Sequence, residues 1–374
     1  MQITGAVLEE IGRDRPFAQS RPIAVTQLDL GEPGPTEVLV RIEAAGVCHS
    51  DLSVVEGNRV RPVPMLLGHE AAGIVVRTGS GADDLAAGQR VVMSFLPRCG
   101  QCAACAEDGR LPCTEGSRAN NAGELLHNPG RLTRDGARVH HHLGVSAFAT
   151  HAIVDRASVV PVEADVPAEI AALFGCAVLT GGGAVLNVAR PGPDDEVMVV
   201  GLGGVGMAAV LVAKALGVRR VIAVDALPAK AEQARALGAD LACTPDELAD
   251  NGIRARYVIE CAGHASAFET AFAATAPGGT TITVGLPGPR ARAAISPLTL
   301  TAEARTVVGS YLGSALPARD IPRYVRMWRE GVLPVEQLIS DRIELSRINE
   351  AMDRLAAGHA IRQIILFDGA ENDR

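Results

Sequence analysis

In the segment Glu196-Val-Met-Val-Val-Gly-Leu-Gly-Gly-Val-Gly206, a short apolar run passes directly into a glycine-rich turn. The apolar run predicts a buried strand, and the Ala- and Leu-rich residues 207–216 that follow predict a helix. The pattern G-x-G-x-x-G therefore stands between a strand and a helix, the context in which such a loop binds a dinucleotide pyrophosphate. Its three glycines are Gly201, Gly203 and Gly206.

Each glycine of this loop has its own physical role. Gly201 allows the tight turn, Gly203 lets the backbone approach the pyrophosphate, and Gly206 lets the helix pack on the strand. Gly204 extends the loop where the helix begins, and the positive end of the helix dipole there favours anionic phosphates. The sequence therefore predicts a dinucleotide site at residues 201–206.

An acidic residue indicates which dinucleotide is bound. Residues 220–224 predict the next strand, and Asp225 stands at its carboxyl end. An aspartate at this place accepts hydrogen bonds from both hydroxyls of an adenosine ribose and repels a 2′-phosphate, so NAD is favoured over NADP. Lys230 either reaches the same ribose or lies solvated on its helix, and the sequence leaves both readings open.

Further strands continue this pattern along the chain. Apolar runs at 257–260, 280–284 and 306–310 are separated by alanine-rich helical segments, which predicts a doubly wound parallel sheet in an α/β protein. Residues 314–374 no longer show the alternation of strand and helix. We therefore expect a dinucleotide-binding domain at 180–313 that interrupts a first domain, formed by residues 1–179 and resumed at 314–374.

Four of the eight cysteines lie within a single short segment. Cys99, Cys102, Cys105 and Cys113 have the spacing to surround one tetrahedral zinc ion, and the glycines and proline among them allow tight turns. Two local disulfides would be strained at these spacings, and the segment lacks the usual ferredoxin pattern of an iron–sulfur cluster. The sequence predicts a structural zinc lobe at 97–114, with no position left for water.

A second group of residues has the composition of a catalytic zinc site. Such a site needs three protein ligands and one exchangeable position, and Cys48, His69 and Cys176 offer a Cys2His set. Spacing alone does not bring Cys176 to the other two, so buried apolar cysteines remain an equal alternative here. For Cys243 and Cys261, which have no neighbouring histidine or acidic cluster, the apolar role is the better interpretation.

Composition excludes two other classes of function. The chain has 374 residues, a net charge of −8 and only 3% aromatic residues, so it has neither the basic surface nor the stacking side chains of a nucleic-acid-binding protein. Its longest uncharged apolar run, 197–213, contains the glycine loop and is too short for a membrane span. The first residues lack a signal-peptide pattern. We expect a cytoplasmic protein whose partners are small molecules or its own copies.

Together, these motifs resemble the zinc-dependent medium-chain alcohol dehydrogenases over nearly the whole chain. The anchors stand in family order: Cys48-His-Ser-Asp51, Gly68-His-Glu70, the four-cysteine lobe, Cys176, the glycine loop, Asp225 and Gly358-His-Ala-Ile-Arg362. The resemblance implies a GroES-like β-rich catalytic domain around a Rossmann domain, two zinc ions per subunit, and NAD.

The resemblance also implies roles for individual residues. Cys48, His69 and Cys176 would bind the catalytic zinc, Asp51 would orient His69, Glu70 would lie behind the metal, and Ser50 would take the alcohol proton. The implied coenzyme contacts, beside the glycine loop, are His49, Thr180, Val205, Asp225, Lys230 and Arg362, and the implied substrate-lining residues are Phe95, His142, Leu143 and Leu286.

The implied activity is reversible oxidation of a primary aliphatic or aromatic alcohol to the aldehyde by hydride transfer to NAD. The alternatives are a thiol-dependent formaldehyde dehydrogenase and a non-catalytic nucleotide-binding relative. Many relatives have a histidine where this chain has Ser53, so the proton would leave through Ser53, water or His49. We expect a homo-oligomer, a dimer in preference to a tetramer, formed through the edge strand near 306–312.

Two further segments carry expectations. Residues 115–138 are rich in Gly, Asn and Arg and predict a long loop, whose four arginines either recognise an acidic substrate or are solvated without a ligand. The run His140-His141-His142 suggests a metal site, but adjacent side chains diverge on an extended chain, and no metal is expected there.

Overall fold

The computed structural model describes residues 1–367 and divides the chain into two compact units. One unit comprises Met1–Cys176 and the chain from Ile339 onward, and the other is Ala177–Leu338. The strands, in chain order, are β1 (Gln2–Leu8), β2 (Ile23–Leu30), β3 (Glu37–Val47), β4 (Met65–Leu66), β5 (Glu70–Thr78), β6 (Arg90–Ser94), β7 (Leu132–Arg134), β8 (Ala137–His141), β9 (His151–Asp155), β10 (Val159–Pro161), β11 (Glu196–Val200), β12 (Arg220–Val224), β13 (Leu241–Cys243), β14 (Ala255–Glu260), β15 (Thr275–Thr283), β16 (Thr306–Gly309), β17 (Ile339–Ile343) and β18 (Arg362–Leu366).

Among the described residues, the two longest α-helices, Gly204–Ala215 and Pro317–Arg329, lie in the second unit. In chain order the α-helices are α1 (Phe17–Ser20), α2 (His49–Val55), α3 (Thr114–Ala122), α4 (Ala168–Leu173), α5 (Ala177–Gly183), α6 (Gly204–Ala215), α7 (Pro228–Ala236), α8 (Pro245–Asp250), α9 (Ala265–Ala273), α10 (Pro297–Ala302), α11 (Pro317–Arg329) and α12 (Ile348–Ala356). No helix within residues 1–367 is long and apolar enough to cross a membrane.

The first unit is built on two β-sheets. Strands β1, β2, β7, β8 and β4 close a small barrel, and a second sheet runs in the order β10-β6-β5-β3-β18-β17, with β9 also paired to β3. Alternate apolar residues of the barrel strands, such as Ile3, Val7, Leu28 and Leu30, point inward and form its core. The long strand β3 is the organising element of the second sheet, and it ends directly before Cys48.

The second unit contains one parallel sheet of six strands. Its order is β13-β12-β11-β14-β15-β16, and every neighbouring pair is parallel. The central strand β11 is apolar on both faces because both are buried, as Val197 to Val200 show. The strand order reverses beside β11, and the crevice at such a point is where nucleotides bind in open α/β sheets. The predicted doubly wound fold with a GroES-like partner is confirmed.

The boundary between the units differs from the sequence prediction at its second crossing. Residues 314–338 belong to the second unit, whereas the return to the first unit was expected at 314. Tyr324 of α11 is fully buried and lies against Gly182 of α5, and Asn187 donates a hydrogen bond to Asp320 at 3.2 Å. Sequence alternation ends with the last strand, but the helix that follows it still packs on the same unit.

Residues 115–138 do not form a long loop. Most of the first half is α3, which begins after Cys113 and ends at Gly123 with φ +69°, and the second half enters the β7–β8 hairpin through Asp135 and Gly136. The Sγ of Cys113 accepts a hydrogen bond from the Gly116 N–H at 3.3 Å and so starts the helix. Of the glycines that suggested a loop, Gly123 ends α3 and Gly136 lies in the hairpin turn, whereas Gly116 lies within α3.

The four arginines of this segment all pair with glutamates of the same unit. The pairs are Arg118 with Glu115 and Glu124, Arg131 with Glu37, Arg134 with Glu9, and Arg138 with Glu124. Arg131 meets a carboxylate that is only 2% exposed, at 2.7 Å, and this burial makes the pair part of the scaffold. The arginines therefore connect α3 and the hairpin to the unit.

Candidate functional site

The three candidate ligands of a catalytic metal converge within the first unit. Cys48 lies between β3 and α2, His69 lies just before β5, and Cys176 follows α4. Their Sγ and ring nitrogen atoms all lie within 4.8 Å of one another, and all three side chains are buried. The fold thus brings Cys176 back to the other two residues, which spacing in the sequence left open.

The donor set fits a zinc ion. The Nε2 atom of His69 is buried and has no hydrogen-bond partner, so its lone pair is free for a metal. A hydrogen bond from Cys176 lowers the pKa of the Cys48 thiol well below its usual range, outweighing burial, and the charge of Arg362 acts in the same direction. Two sulfur donors and one imidazole, with one position open, are a set that catalytic zinc uses.

Asp51 fixes the orientation of His69. Its Oδ1 atom lies 3.1 Å from the Nδ1 of His69 and accepts the Gly68 N–H at 3.1 Å, while Oδ2 accepts the Cys48 N–H at 3.2 Å. Burial alone would raise the pKa of Asp51, but the neighbouring His69 and His142 lower it to about 2. An ionised Asp51 holds the proton of His69 on Nδ1, and this tautomer leaves Nε2 to bind a metal.

The four-cysteine lobe forms a second, closed cluster. The sulfur atoms of Cys99, Cys102, Cys105 and Cys113 lie within 4.8 Å of one another, and none of the cysteines forms a disulfide. The buried Cys113 Sγ accepts backbone N–H groups of Cys99 and Gly116, each at 3.3 Å. Hydrogen bonds of this kind stabilise a thiolate, so the cluster fits a zinc ion with all four positions filled by protein.

The glycine loop of the second unit has the geometry that a pyrophosphate requires. Gly201 has φ +93°, and a Cβ there would lie 2.5 Å from the Ala262 nitrogen; a Cβ on Gly206 would lie 1.9 Å from the Gly201 oxygen. Gly203, in contrast, has no atom within 4 Å of an added Cβ, and it immediately precedes the first residue of α6. This open space before a helix N-terminus is a fitting place for phosphate groups.

Two family profiles match the chain. The alcohol dehydrogenase GroES-like domain matches residues 34–164, and the zinc-binding dehydrogenase profile matches residues 204–330. A solved alcohol dehydrogenase zinc-binding domain protein from Burkholderia ambifaria is 29% identical with a TM-score of 0.90, covering 99% of this chain and 100% of its own. The benzyl alcohol dehydrogenase from Acinetobacter calcoaceticus is 29% identical with a TM-score of 0.89, covering 98% and 99%. The chain belongs to the medium-chain dehydrogenase/reductase family.

A more distant structure shares only the fold. The alcohol dehydrogenase rspB of E. coli CFT073, solved with NADH, is 21% identical with a TM-score of 0.78, covering 98% of this chain and 99% of its own. The family supports zinc and a nicotinamide coenzyme for this chain, in agreement with the two cysteine-containing clusters and the glycine loop.

Asp225, the residue predicted to bind the adenosine ribose, forms a hydrogen bond with the backbone of the glycine loop. Asp225 accepts the Leu202 N–H at 2.7 Å through one oxygen and the Leu227 N–H at 2.9 Å through the other. These bonds fix its position at the carboxyl end of β12, and each oxygen keeps a further lone pair for a hydroxyl. Lys230 is half-buried on α7, Thr180 is buried on α5, and Val205 is half-buried in the first turn of α6.

Glu70 and Arg362 form a buried pair in the first unit. The Nε of Arg362 lies 3.6 Å from Glu70 Oε1, and its Nη1 donates to the Val47 carbonyl at 3.1 Å. Burial raises the pKa of Glu70 to about 7 against the opposing charge of Arg362. Gly46 is required here because a Cβ on it would lie 2.5 Å from Glu70 Oε1. A pyrophosphate contact of Arg362 stays a prediction.

The candidate proton-transfer residues lie together on α2. His49 is exposed and Ser50 is half-buried in the first turn of the helix. The Ser53 hydroxyl donates a hydrogen bond to the His49 carbonyl at 2.7 Å, so its proton is committed to the backbone. Ser53 keeps only its lone pairs for a relay, and its part in the proton exit stays a prediction.

The predicted substrate-lining residues differ in their surroundings. Phe95 and His142 flank His69, each with its ring centre 5.5 Å from that of His69 and in an edge-to-face arrangement. Leu143 is buried, whereas Leu286, in the second unit, is 46% exposed. His142 is 1% exposed, and its Nε2 lies 3.3 Å from Asp51 Oδ1. The structure thus places His142 beside the residue that orients a metal ligand, which its predicted role as pocket lining did not include.

Neither His140 nor His141 belongs to a candidate metal group within residues 1–367.

Sequence reasoning missed Glu260, a buried carboxylate at the carboxyl end of β14 that accepts the Gly263 N–H at 2.6 Å and the Thr283 hydroxyl at 2.7 Å. An acid that closes a buried strand was the available signal, because this edge of the sheet binds nucleotides.

Proposed function

We propose that this chain is an NAD-dependent zinc alcohol dehydrogenase that interconverts primary aliphatic or aromatic alcohols and their aldehydes. The observation that carries the proposal is the convergence of Cys48, His69 and Cys176, with the Nε2 of His69 buried and unpaired. A retained Cys2His set argues against a non-catalytic nucleotide-binding relative, since only an open metal site needs three ligands.

The residues of the candidate site would have separate roles in the proposed reaction. Cys48, His69 and Cys176 would hold a zinc ion, which would supply a Lewis acid that lowers the pKa of an alcohol hydroxyl. Ser50 would take the proton from the alcohol, while Asp51 keeps His69 in its metal-binding tautomer. The lobe at 97–114 would hold a second, structural zinc ion, so that each chain binds two.

NAD is the proposed coenzyme because of the acid at the end of β12. The glycine loop would receive the pyrophosphate, and Asp225 would accept hydrogen bonds from the ribose hydroxyls and repel a 2′-phosphate. Phe95 beside His69 and the buried Leu143 provide apolar contacts for the carbon chain of an alcohol. The similarity to a benzyl alcohol dehydrogenase supports including aromatic alcohols.

The experiment is a coenzyme-reduction assay of the zinc-replete protein. NAD and NADP are each offered with aliphatic, benzylic and terpenoid alcohols, with and without an added thiol. Turnover of a free alcohol with NAD supports the proposal. Activity that requires formaldehyde and a thiol together would replace it by a thiol-dependent formaldehyde dehydrogenase, and inactivity of a protein that binds both zinc and NAD would favour the non-catalytic alternative.

Three cysteine variants separate the two metal clusters from cysteines in general. We expect Cys48→Ala to lose activity and one zinc ion, because it removes a ligand of the open cluster. Cys105→Ala should lose the other zinc ion, and Cys243→Ala, whose thiol lies in the core of the second unit, should keep both. Zinc is counted by elemental analysis, and an active, fully metallated Cys48→Ala protein would contradict the assignment.

A further inference from the structure

The Asp51 carboxylate of the candidate metal site has several nitrogen atoms close to its oxygens. It is fully buried, and three N–H groups reach its oxygens at 3.1 to 3.2 Å, from His69 and from the backbone of Cys48 and Gly68. A fourth nitrogen, Nε2 of His142, lies 3.3 Å from Oδ1, the same oxygen that faces His69. Two imidazoles therefore converge on one carboxylate oxygen.

The main chain of His142, which directly follows β8, is fixed by hydrogen bonds to Ser146 and, through it, to β4. Its N–H donates to the Ser146 hydroxyl at 2.8 Å, and that hydroxyl donates to the Leu66 carbonyl at 2.9 Å. Leu66 belongs to β4, which leads directly to His69. The turn that makes this possible includes Leu143 and Ser146, both with positive φ. The same anchor therefore holds the segments that carry the two histidines.

The ring of His142 is buried without another protein partner. It is 1% exposed, and its Nδ1 has no hydrogen-bond partner among the described residues. A buried imidazole with no useful contact is costly compared with an apolar side chain of similar size. The Nε2 atom also forms no hydrogen bond of good geometry, since its 3.3 Å contact with Asp51 Oδ1 is at ion-pair distance but off the hydrogen-bond direction, so the inferred bond requires the ring to turn toward Oδ1.

We propose that His142 is a positioning residue whose Nε2–H holds the Asp51 carboxylate in place against His69. Asp51 in turn holds His69 in the tautomer and orientation that present Nε2 to the metal. The ring edges of His142 and Phe95 against His69, at 79° and 83°, restrict the plane of the ligand from two sides. The inference rests on the proposed function, since it assigns His142 to retention of the catalytic zinc.

The test compares variants that keep or remove the side-chain N–H. His142→Phe and His142→Leu remove the donor, whereas His142→Gln keeps one that reaches in the same direction. His140→Phe is the matched control, since it makes the same change two residues away at a half-buried imidazole that does not contact Asp51. Each purified, zinc-loaded protein is exposed to a chelator, and zinc release is followed over time. A cobalt-substituted sample of each reports ligand geometry through its visible spectrum.

We expect His142→Phe and His142→Leu to bind the catalytic metal about 10- to 100-fold more weakly and to show an altered cobalt spectrum. The zinc ion of the four-cysteine lobe should stay bound in every variant. His142→Gln and His140→Phe should retain the catalytic metal as the wild type does and give its cobalt spectrum. If His142→Leu loses metal affinity as His142→Phe does, the phenyl ring alone is not the cause of the loss. A substrate contact without a positioning role would alter only substrate preference.

Three outcomes would overturn the inference. The first is wild-type metal retention in both donor-free variants, which would leave His142 as a pocket residue. The second is equally weak retention in His142→Gln and His142→Phe, which would make the effect independent of the N–H. The third is an extra metal equivalent in the wild type that is lost with His142, since Asp51, His69 and His142 could together hold an ion. A wild-type protein that binds zinc only at the lobe would instead contradict the proposed function.

Discussion

At the scale of the residue, His141 shows how burial fixes a protonation state. The ring is 1% exposed, and its Nε2 accepts the Arg131 N–H at 3.2 Å, so this nitrogen has to stay unprotonated. Burial lowers the pKa of His141 to about 3, and the charge of Arg138 contributes in the same direction. The fold therefore requires the neutral imidazole.

This requirement predicts a loss of stability in mild acid. In the unfolded chain, His141 takes up its proton near pH 6.5, whereas in the folded chain it does so only near pH 3. The contribution is fully present above pH 6.5 and is lost as the pH falls toward 3. Between pH 6.5 and 5 we expect wild type to lose about 2 kcal/mol of unfolding free energy that His141→Gln does not lose.

Urea unfolding at several pH values measures this difference. Glutamine at position 141 offers the Arg131 N–H an acceptor but does not titrate. His359→Gln, at an exposed position, reports how much of the slope any such replacement removes. Parallel curves for wild type and His141→Gln between pH 6.5 and 5 would mean that His141 is protonated in the folded protein without cost.

Single residues also show what sequence can and cannot predict. The role expected for Asp51 agrees with its contact to His69, because both residues belong to short motifs with recognisable spacing. The convergence of Cys176 depended on how α4 returns to β3, which no local pattern encodes. The direction of His142 depends on a turn with positive φ at Leu143 and Ser146, where propensity predicts neither.

At the scale of the element, the start of α6 distinguishes two roles of glycine. A Cβ at Gly206 would collide with the Gly201 carbonyl, whereas a Cβ at Gly203 would meet no protein atom within 4 Å. Gly203 has φ −78°, a value open to any residue. Gly206 is thus required by the fold, whereas Gly203 is required only by a ligand that approaches the backbone.

Two alanine variants test this distinction. We expect Gly203→Ala to keep the wild-type melting temperature and to bind NAD at least about 10-fold more weakly, because the methyl group occupies the space of a phosphate. Gly206→Ala should lower the melting temperature, because the helix has to move away from the loop. Calorimetric titration with NAD and thermal unfolding supply the two readouts. Unchanged NAD affinity in Gly203→Ala would place the coenzyme elsewhere.

Elements were predictable where periodicity was strong. The strand–loop–helix unit around the glycine loop was predicted because apolar runs and glycines agree there. Residues 115–138 were misread because glycine and asparagine favour turns and loops, while the capping sulfur of Cys113 and the turn at Gly136 produce a helix and a hairpin. A helix started by a thiol, instead of by a hydroxyl or a carboxylate, escapes the usual capping patterns.

At the scale of the whole molecule, the edge strand β16 predicts association of two copies. Within the described residues, β16 pairs only with β15, and Val307 on it is 37% exposed. An uncovered strand edge with an apolar side chain is a template for pairing with another chain. We expect a homodimer of about twice 38.8 kDa in solution and a monomer for Val307→Lys, measured by light scattering after gel filtration.

Val332→Lys is the matched control for that substitution. Val332 lies in the same unit and is 46% exposed, but it is not on a strand edge. Val332→Lys should therefore leave the dimer intact. A dimer that survives Val307→Lys, or a wild-type monomer, would contradict association through β16.

The two-unit organisation was predictable from the order of the motifs, but its second boundary was not. Motif order identifies an inserted nucleotide-binding unit, because family anchors lie on both sides of the glycine loop, with the candidate zinc ligands before it and Arg362 after it. The end of that unit depends on the burial of Tyr324 against Gly182, a contact between distant segments that leaves no periodic signal around residue 314.

The central place of β18 has a consequence for biosynthesis. β18 pairs with β3 at Ala44–Val47, immediately before Cys48, yet it leaves the ribosome only after the whole inserted unit. The strands of the inserted unit are contiguous and emerge earlier, and domains generally fold as units during synthesis. The nascent polypeptide would thus carry a finished nucleotide-binding unit while the sheet beside its first cysteine ligand still lacks a strand. Metallation of that cysteine would then follow the folding of the inserted unit.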